Sequence, residues 1–207
     1  MIVFDCETVR PILKKNEKPK DQYEYAESWT DYKGMGISVV CFYNYQTGCI
    51  FDLLEDHIKE KSDEFLYAQN LIKENELIAG FNIKKFDNNL IREFGINIPD
   101  IKTYDILELF WLAIGLDPKN FNPRTHGGYN LEKFLKINFP DGDIQKTMNG
   151  VNAPYMWQDG KKDEVVEYCR NDVKVEKALF NKIFETGGLI NPKTKKFVKM
   201  PLPRAFN

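Results

Sequence analysis

The sequence predicts an α/β fold: a mixed sheet with an antiparallel opening meander, flanked by helices. Two observations lead to this prediction. Three strand-like segments follow one another in the first quarter of the chain, and a short turn joins the second to the third. Beyond them, helical patterns alternate with short apolar runs of strand length, which is typical of α/β proteins.

The first predicted strand covers residues 1–9. Apolar residues alternate there with Asp5 and Glu7, and Val3 interrupts the alternation, which indicates a strand buried on both faces. A long connection over residues 10–33 follows, and long loops inside compact domains are often functional or disordered. Its basic and aromatic residues are Lys14, Lys15, Lys18, Lys20, Tyr23, Tyr25, Trp29 and Tyr32.

Two more strands complete the meander, over residues 36–45 and 49–54, with a turn at residues 46–48. Ser62 is then predicted to cap a helix whose first turn is acidic. The apolar residues of this helix recur at helical spacing and are Phe65, Ala68, Leu71 and Ile72.

The rest of the chain alternates short strands with helices. Strands are predicted over residues 77–81 and 102–106, and helices over about 84–94, 106–115, 130–137 and 162–186. Gly95 and Gly187 follow two of these helices and Gly115 ends a third, as glycine does where a helix ends in the left-handed conformation. Residues 116–129 and 138–160 are predicted to be loops.

The C-terminal residues 189–207 contain five basic residues and no acidic one. Leu189-Ile190 and Phe197-Val198 flank a turn sequence, so this segment is predicted to be a basic tail or a small hairpin. Residues 1–188 are expected to form one domain, as the length of 207 residues predicts.

Composition excludes several classes of protein. The net charge of −2 argues against binding of nucleic acid through bulk positive charge. The four cysteines form no CxxC pair, which argues against a structural zinc site or a redox motif. The sequence has no apolar run of about 18 residues, so no membrane span is expected. Its N-terminal residues do not resemble a signal peptide, and a cytoplasmic location is predicted.

Two carboxylates on the first strand are the first candidates for a site. Asp5 and Glu7 are two residues apart, so both side chains leave the same face of the strand. Carboxylates aimed at one point repel each other unless a cation lies between them. Acids at strand ends are common, but this pair has apolar neighbours, and a buried strand rarely holds two carboxylates without a partner.

Two further acids lie on predicted helices. Asp87 falls in the first turn of a helix, where the helix dipole favours an acid and where open α/β sheets also build their sites. Asp172 shares a face of the long helix with Tyr168, close to the apolar stripe, so it requires either a lysine partner or a site. Asp105, at a strand end before a helix, is predicted to cap that helix rather than to join the other acids.

These segments form three motifs in order along the chain: Asp5-x-Glu7 on a strand, Asn82-x3-Phe86-Asp87 leading into a helix, and Tyr168-x3-Asp172 in a late helix. Together they resemble the DEDD superfamily of 3′–5′ exonucleases, which has a ribonuclease-H-like (DnaQ-like) fold. The tyrosine indicates the DEDDy subgroup, which includes the proofreading domains of DNA polymerases, because position 167 is Glu167 rather than histidine. Flanking segments that extend the resemblance over residues 1–186 are Phe4–Thr8, Tyr104–Leu107, Asn130–Leu135 and Lys146.

The resemblance implies a mechanism with two metal ions. The metal ligands would be Asp5, Glu7, Asp87 and Asp172, and oxygen ligands suit Mg²⁺ or Mn²⁺ rather than zinc. Two such ions about 3.5–4 Å apart hold the attacking and leaving oxygens of an in-line phosphoryl displacement. Tyr168 would orient the attacking water, since a tyrosine with an ordinary pKa of about 10 is a poor base at neutral pH.

Substrate contacts are expected beside the same motifs. By resemblance, Thr8 and Asn82 would contact the terminal nucleotide or its phosphates, although strand-end and helix-cap hydrogen bonds are an ordinary alternative role for such residues. Lys84 and Lys85 flank the second motif and would meet phosphates. The connection over residues 10–33 would either line a path for a single strand or remain a solvated loop.

The predicted function is that of a metal-dependent 3′–5′ exonuclease that hydrolyses phosphodiester bonds at the 3′ end of single-stranded or frayed nucleic acid. DNA is favoured over RNA as the substrate, although no sequence motif for 2′-OH contacts separates the two. The alternatives are a structure-specific endonuclease on the same fold and a non-catalytic binding module. The expected partners are single-stranded 3′ ends and no membrane, and a polymerase, a helicase or another nucleic-acid-processing protein would be a further partner.

Overall fold

The computed structural model describes residues 1–14, 16–142 and 144–203. Lys15 of the long connection and residues 204–207 of the C-terminal segment lie outside the described residues. The strands are β1 Ile2–Thr8, β2 Ile37–Asn44, β3 Cys49–Leu54, β4 Ile78–Gly80, β5 Thr103–Asp105, β6 Gly188–Ile190 and β7 Phe197–Lys199. The α-helices are α1 Tyr32–Met35, α2 Glu55–Glu60, α3 Asp63–Glu74, α4 Asp87–Glu93, α5 Ile106–Ala113, α6 Leu131–Asn138, α7 Ala153–Gln158 and α8 Lys162–Thr186.

Five strands form one mixed sheet in the order β3-β2-β1-β4-β5. β2 is antiparallel to both β1 and β3, whereas β4 is parallel to both β1 and β5. The predicted α/β class, with its mixed sheet and antiparallel opening meander, is therefore confirmed. β1 lies at the centre of the sheet, and the carboxyl ends of the parallel strands β1, β4 and β5 open at one edge, where α/β proteins build their sites.

An apolar layer covers each face of the sheet. Helices α5 to α8 pack on one face, and helices α1 to α4 pack on the other. Alternate residues of β1 enter opposite layers, with Val3 facing α8 and Phe4 facing α3 and α4. This strand is therefore buried on both faces, as predicted, and its alternation directs Asp5 and Glu7 towards α8.

Three short α-helices were not predicted, and the shortest, α1, has four residues at the end of the long connection. α2 follows β3 directly, and α7 lies within residues 138–160, where the sequence predicted only loop; a 3₁₀ turn at Gly150–Asn152 precedes α7. Both helices have six residues, too few to establish a helical period in the sequence. They meet in space, since the indole Nε1 of Trp157 donates a hydrogen bond to Glu55 Oε2 at 3.0 Å.

The predicted start of α3 is right, but its cap differs. Ser62 precedes the helix in extended conformation without a capping hydrogen bond from its side chain. Its hydroxyl instead donates to Glu64 Oε2 at 2.6 Å. The four apolar residues predicted for this helix are all buried.

The long helix α8 has the predicted bounds, and Gly187 ends it in the left-handed conformation with φ 76°. The hairpin that was one of two expectations for the C-terminal segment is formed by β6 and β7. It packs on the rest of the fold, since Leu189 and Met200 are buried in the α8 layer. None of the helices formed by the described residues combines the length and the apolar character needed to span a bilayer.

The connection between β1 and α1, residues 9–31, is anchored to α7. Gln158 accepts a hydrogen bond from the backbone N–H of Glu24 at 2.8 Å, and its amide donates to the carbonyls of Val9 and Glu24, both at 3.0 Å. The Tyr23 hydroxyl donates to Asp159 at 3.2 Å. These contacts fix the connection beside the carboxyl end of β1, so its described residues form a wall rather than a free loop.

Candidate metal centre

Asp5, Glu7 and Asp172 lie together where β1 meets α8. One carboxylate oxygen of each lies within 4.8 Å of those of the other two. Glu7 and Asp172 are 9% and 3% exposed, and Asp5 is partly exposed. These three residues are called the acid cluster below. Three oxygen ligands at this spacing are a donor set that suits a hard divalent cation.

The local structure explains this convergence. Asp5 and Glu7 are both on the face of β1 that α8 crosses, and the helix lies close, with the Cys169 thiol 3.4 Å from the Asp5 carbonyl oxygen. The pairing of β1 with β2 shifts register between Glu7 and Thr8, next to the cluster. Such irregularities are frequent beside functional sites because they reorient side chains.

The electrostatics of the acid cluster favour a positive charge. Burial, followed by the charges of neighbouring carboxylates, raises the pKa values of Asp5 and Glu7 well above their ordinary values. Burial also raises the pKa of Asp172. Carboxylates that share a site cannot all ionise unless a cation compensates them.

Lys146 supplies one positive charge. Its ammonium Nζ lies 2.5 Å from Asp172 Oδ2 and 5.3 Å from the centre of the Tyr168 ring. Burial lowers the pKa of Lys146, but the carboxylates of Asp172, Asp5 and Glu7 outweigh burial, and the pKa is raised overall. The sequence associated this lysine only with the segment before the last helix.

Asp87, the fourth predicted ligand, begins α4 and is 6% exposed. Its carboxylate accepts a hydrogen bond from the thiol of Cys6 at 3.0 Å, and burial raises its pKa to about 7. Cys6 lies between Asp5 and Glu7 on β1 and faces the opposite layer. Asp87 lies outside the group of three carboxylates that approach within 4.8 Å, but its charge is close enough to raise the pKa of Asp5.

Tyr168 lies one turn before Asp172 on α8 and is 3% exposed. Burial and the charges of Glu7 and Asp172 raise its pKa above its ordinary value, so the phenol stays neutral. The 3₁₀ turn approaches it closely, because a Cβ atom at Gly150 would lie 3.2 Å from the Tyr168 hydroxyl oxygen.

Asp105 has the predicted capping role. Its side chain accepts hydrogen bonds from the backbone N–H groups of Leu107 at 3.0 Å and Glu108 at 3.1 Å, in the first turn of α5. It also accepts from the N–H groups of Asn82 at 3.0 Å and Lys84 at 2.9 Å. This one carboxylate therefore fixes the loop that carries the second motif.

The predicted substrate-binding residues divide into two pairs. Thr8 borders one cleft beside the acid cluster, and Asn82 borders another. Lys84 and Lys85 line neither of these clefts: the Lys84 ammonium pairs with Glu108 at 2.6 Å, and the Lys85 ammonium lies 4.9 Å from the centre of the ring of Trp111, which borders the same cleft as Asn82.

The acid cluster lies between two clefts. The larger, of about 690 Å³, extends from Glu7 and Thr8 along the β1–α1 connection to α7. Its basic and aromatic lining residues are Arg10, Lys14, Lys20, Tyr23, Trp29, Phe86 and Tyr155. The smaller, of about 380 Å³, contains Asp5, Asn82, Lys146 and Asp172 in its walls.

One further acid at this site, Glu176, belongs to none of the sequence motifs. Glu176 lies one turn after Asp172 on α8, is 2% exposed and borders the smaller cleft. Among the described residues, Asp172 Oδ1 and Glu176 Oε2 are buried oxygens without a hydrogen-bond partner. A buried polar atom without a partner costs about 1–3 kcal/mol, which a bound cation would offset. The four-residue spacing from Asp172 was the available signal.

Comparison with protein-family models gives no match for the chain, and comparison with curated proteins finds no matching sequence. The function is therefore argued from the geometry of the acids and of the two clefts.

Proposed function

We propose that this protein is a DEDDy-type, metal-dependent 3′–5′ exonuclease that acts on single-stranded or frayed nucleic acid, with DNA favoured over RNA. The observation that carries the proposal is the convergence of Asp5, Glu7 and Asp172 within 4.8 Å at the end of the central strand. The sheet order β3-β2-β1-β4-β5, with an antiparallel first half, supports a ribonuclease-H-like (DnaQ-like) fold.

The proposed cofactors are two divalent cations, Mg²⁺ or Mn²⁺. Asp5, Glu7 and Asp172 would hold them together with Asp87, which lies outside the group of three carboxylates but whose charge reaches Asp5. Asp172 Oδ1, which has no hydrogen-bond partner among the described residues, would be a ligand atom. When bound, such cations lower the pKa of water and stabilise charge on the leaving oxygen. The protein contributes a buried site in which these charges act in a low dielectric.

Tyr168 is proposed to orient the attacking water. Burial and the nearby carboxylates raise the pKa of this phenol, so a role in hydrogen bonding is favoured over a role as general base at neutral pH. The phenol is held in place by burial on α8 and by the close approach of Gly150. Lys146 adds a positive charge at the same point, beside Asp172.

A single strand is proposed to lie in the larger cleft and to end at the acid cluster. The cleft combines the basic side chains of Arg10, Lys14 and Lys20 with aromatic rings, and the side chain of Trp29 is 69% exposed. Single-strand binding sites commonly combine phosphate contacts with rings on which bases stack. Thr8 and Asn82, beside the cluster, would contact the terminal nucleotide.

A cleavage assay tests the proposal. With Mn²⁺ or Mg²⁺, a 5′-labelled single-stranded oligonucleotide is expected to shorten stepwise from its 3′ end. Asp172→Asn and Asp5→Asn are expected to abolish the ladder while they retain the fold. Asp56→Asn, a matched substitution at an exposed position of α2, is expected to leave it unchanged.

The same assay separates the alternatives. Cleavage of a circular single strand, or internal cuts in a 3′-blocked oligonucleotide, would indicate an endonuclease. Binding without cleavage of any DNA or RNA substrate would indicate a non-catalytic module. Matched DNA and RNA oligonucleotides measure the preference between the two nucleic acids.

A further inference from the structure

We propose that Glu176 is a positioning residue of the cation site and contributes a fifth carboxylate beyond the four acids of the sequence motifs. The inference rests on the proposed metal-dependent function. Glu176 would act through the water ligands of the cation rather than by direct coordination. Its oxygens, like those of Asp87, lie outside the group of three that approach within 4.8 Å, and unlike Asp87 it belongs to none of the three sequence motifs. Mg²⁺ usually keeps several water molecules when a protein binds it.

The position of Glu176 is fixed by α8. It follows Asp172 by four residues, so the two side chains lie one above the other on the same helix face. Both border the smaller cleft, together with Asp5 and Lys146. Glu176 is 2% exposed, so its carboxyl group is withdrawn from solvent, and the residue borders the same cleft as Asp5 and Asp172.

The bonding of Glu176 is incomplete in a way that indicates a ligand. Its Oε2 atom is buried and has no hydrogen-bond partner among the described residues. Most buried polar atoms in proteins are hydrogen-bonded, and an exception indicates strain, catalysis, or a water or ion that completes the site. A carboxylate oxygen accepts hydrogen bonds from water bound to a cation, and acceptors that contact the ligands of a metal in this way orient those ligands.

The charges around Glu176 support the same conclusion. The carboxylates of Asp5, Asp87 and Asp172 lie close enough to raise its pKa, after the larger effect of burial, and the positive charge of Lys146 opposes them. Ionised, these acids together with Glu7 and Glu176 carry five negative charges against the one positive charge of Lys146. The resulting formal charge of about −4 is what two divalent cations neutralise.

Equilibrium binding of Mn²⁺ at a fixed pH, without nucleic acid, tests the inference. Glu176→Gln keeps the shape of the side chain and removes its charge, and we expect the dissociation constant for Mn²⁺ to rise ~10- to 100-fold, as when other residues that hydrogen-bond to metal ligands are replaced. Glu185→Gln, the same change at an exposed position of α8, is the matched control and is expected to bind Mn²⁺ as the wild type does.

Thermal unfolding in EDTA establishes that each variant is folded. If Glu176→Gln does not fold, Mn²⁺ binding is measured with Glu176→Met instead, because methionine fills a similar volume without a carboxyl group. Weaker Mn²⁺ binding by a folded variant supports the proposal, and wild-type affinity overturns it.

Asp172→Asn separates failure of this inference from failure of the proposed function. If Asp172→Asn abolishes Mn²⁺ binding and Glu176→Gln does not weaken it, only the role of Glu176 is wrong. If the wild type binds no Mn²⁺, both proposals fail. If Glu176→Gln weakens Mn²⁺ binding and the wild type cleaves no nucleic acid, the role of Glu176 stands and the exonuclease proposal fails.

Discussion

Lys146 and Asp172 form an ion pair in which the ammonium Nζ lies 2.5 Å from carboxylate Oδ2. The pair joins the loop after α6 to the middle of α8. Lys146 also lowers the pKa values of Asp5 and Glu7, against the larger effect of burial. The position of this loop is therefore coupled to the charge of the acid cluster.

Substitution Lys146→Met is expected to destabilise the protein in EDTA by about 3 kcal/mol near neutral pH, because it leaves a buried carboxylate without its partner. The decrease in the free energy of unfolding should be smaller at about pH 5, where the carboxyl groups take up protons. Denaturant titration at the two pH values measures both effects. Lys174→Met, an exposed change on α8, is the control, and an equal loss in the two proteins would contradict the interpretation.

Stability in EDTA is expected to fall as the pH rises from about 5 to about 8. The folded-state pKa values of Asp5, Glu7 and Glu176 are raised, and that of Asp87 is about 7. The folded protein thus keeps protons that the unfolded chain, with carboxyl pKa values of about 4, has already released. The contribution of these groups to the free energy of unfolding is therefore fully present below about pH 4 and is lost as they ionise in the folded state.

The corresponding measurement is thermal unfolding across this pH range. We expect Tm to fall by about 5 °C or more in EDTA, and Mn²⁺ to reduce or reverse the decline. A Tm that rises with pH in EDTA would show that the acids are not held protonated by the fold.

Tyr168→Phe is expected to lower kcat about 100-fold while Mn²⁺ affinity stays within a factor of two, because the hydroxyl positions water and does not bind the cation. Steady-state kinetics and Mn²⁺ titration provide the two readouts. Tyr67→Phe removes a hydroxyl at an exposed position of α3 and serves as the control. If Tyr168→Phe has the kcat of the wild type, the Tyr168 hydroxyl has no role in catalysis.

Trp29→Ala is expected to weaken binding of a single-stranded oligonucleotide by about 1–3 kcal/mol, which corresponds to ~5- to 150-fold in Kd. The free energy of unfolding should change little, since the side chain is 69% exposed. Fluorescence anisotropy in EDTA measures binding without cleavage. Phe197→Ala alters an exposed ring on β7 and should not affect Kd. If the wild type and Trp29→Ala bind the oligonucleotide with equal affinity, the single-stranded nucleic acid does not contact Trp29 in the larger cleft.

Asp105→Ala is expected to destabilise the protein by about 2–4 kcal/mol, because four backbone N–H groups lose their acceptor. Asp105→Asn keeps one acceptor oxygen and should lower the free energy of unfolding by less than Asp105→Ala does. Because Asp105 caps α5 and is no ligand, the folded Asn variant should bind Mn²⁺ like the wild type. Loss of Mn²⁺ binding in a stable Asn variant would make Asp105 part of the metal site.

Several features could be predicted because they are encoded locally. The two-residue alternation of β1 predicted that Asp5 and Glu7 share a face, and the helical period of α8 placed Tyr168 and Asp172 together. The bounds of α8, the end of β5 at Asp105 and the end of α4 shortly before Gly95 follow from local signals of the same kind. The six-residue helix α7 carries too short a pattern and was missed.

The sequence by itself determined the α/β class, the opening meander and the identity of the acids that could form a site, because side-chain periodicity and capping act within a few residues of chain. Only the tertiary structure decided which side chains meet. The pair of Lys146 with Asp172, the unpartnered Glu176 and the anchoring of residues 9–31 to Gln158 join segments far apart in the chain or depend on what packs against a helix face. Contacts of this kind are selected by the packing and charge of the whole fold, which no local pattern contains.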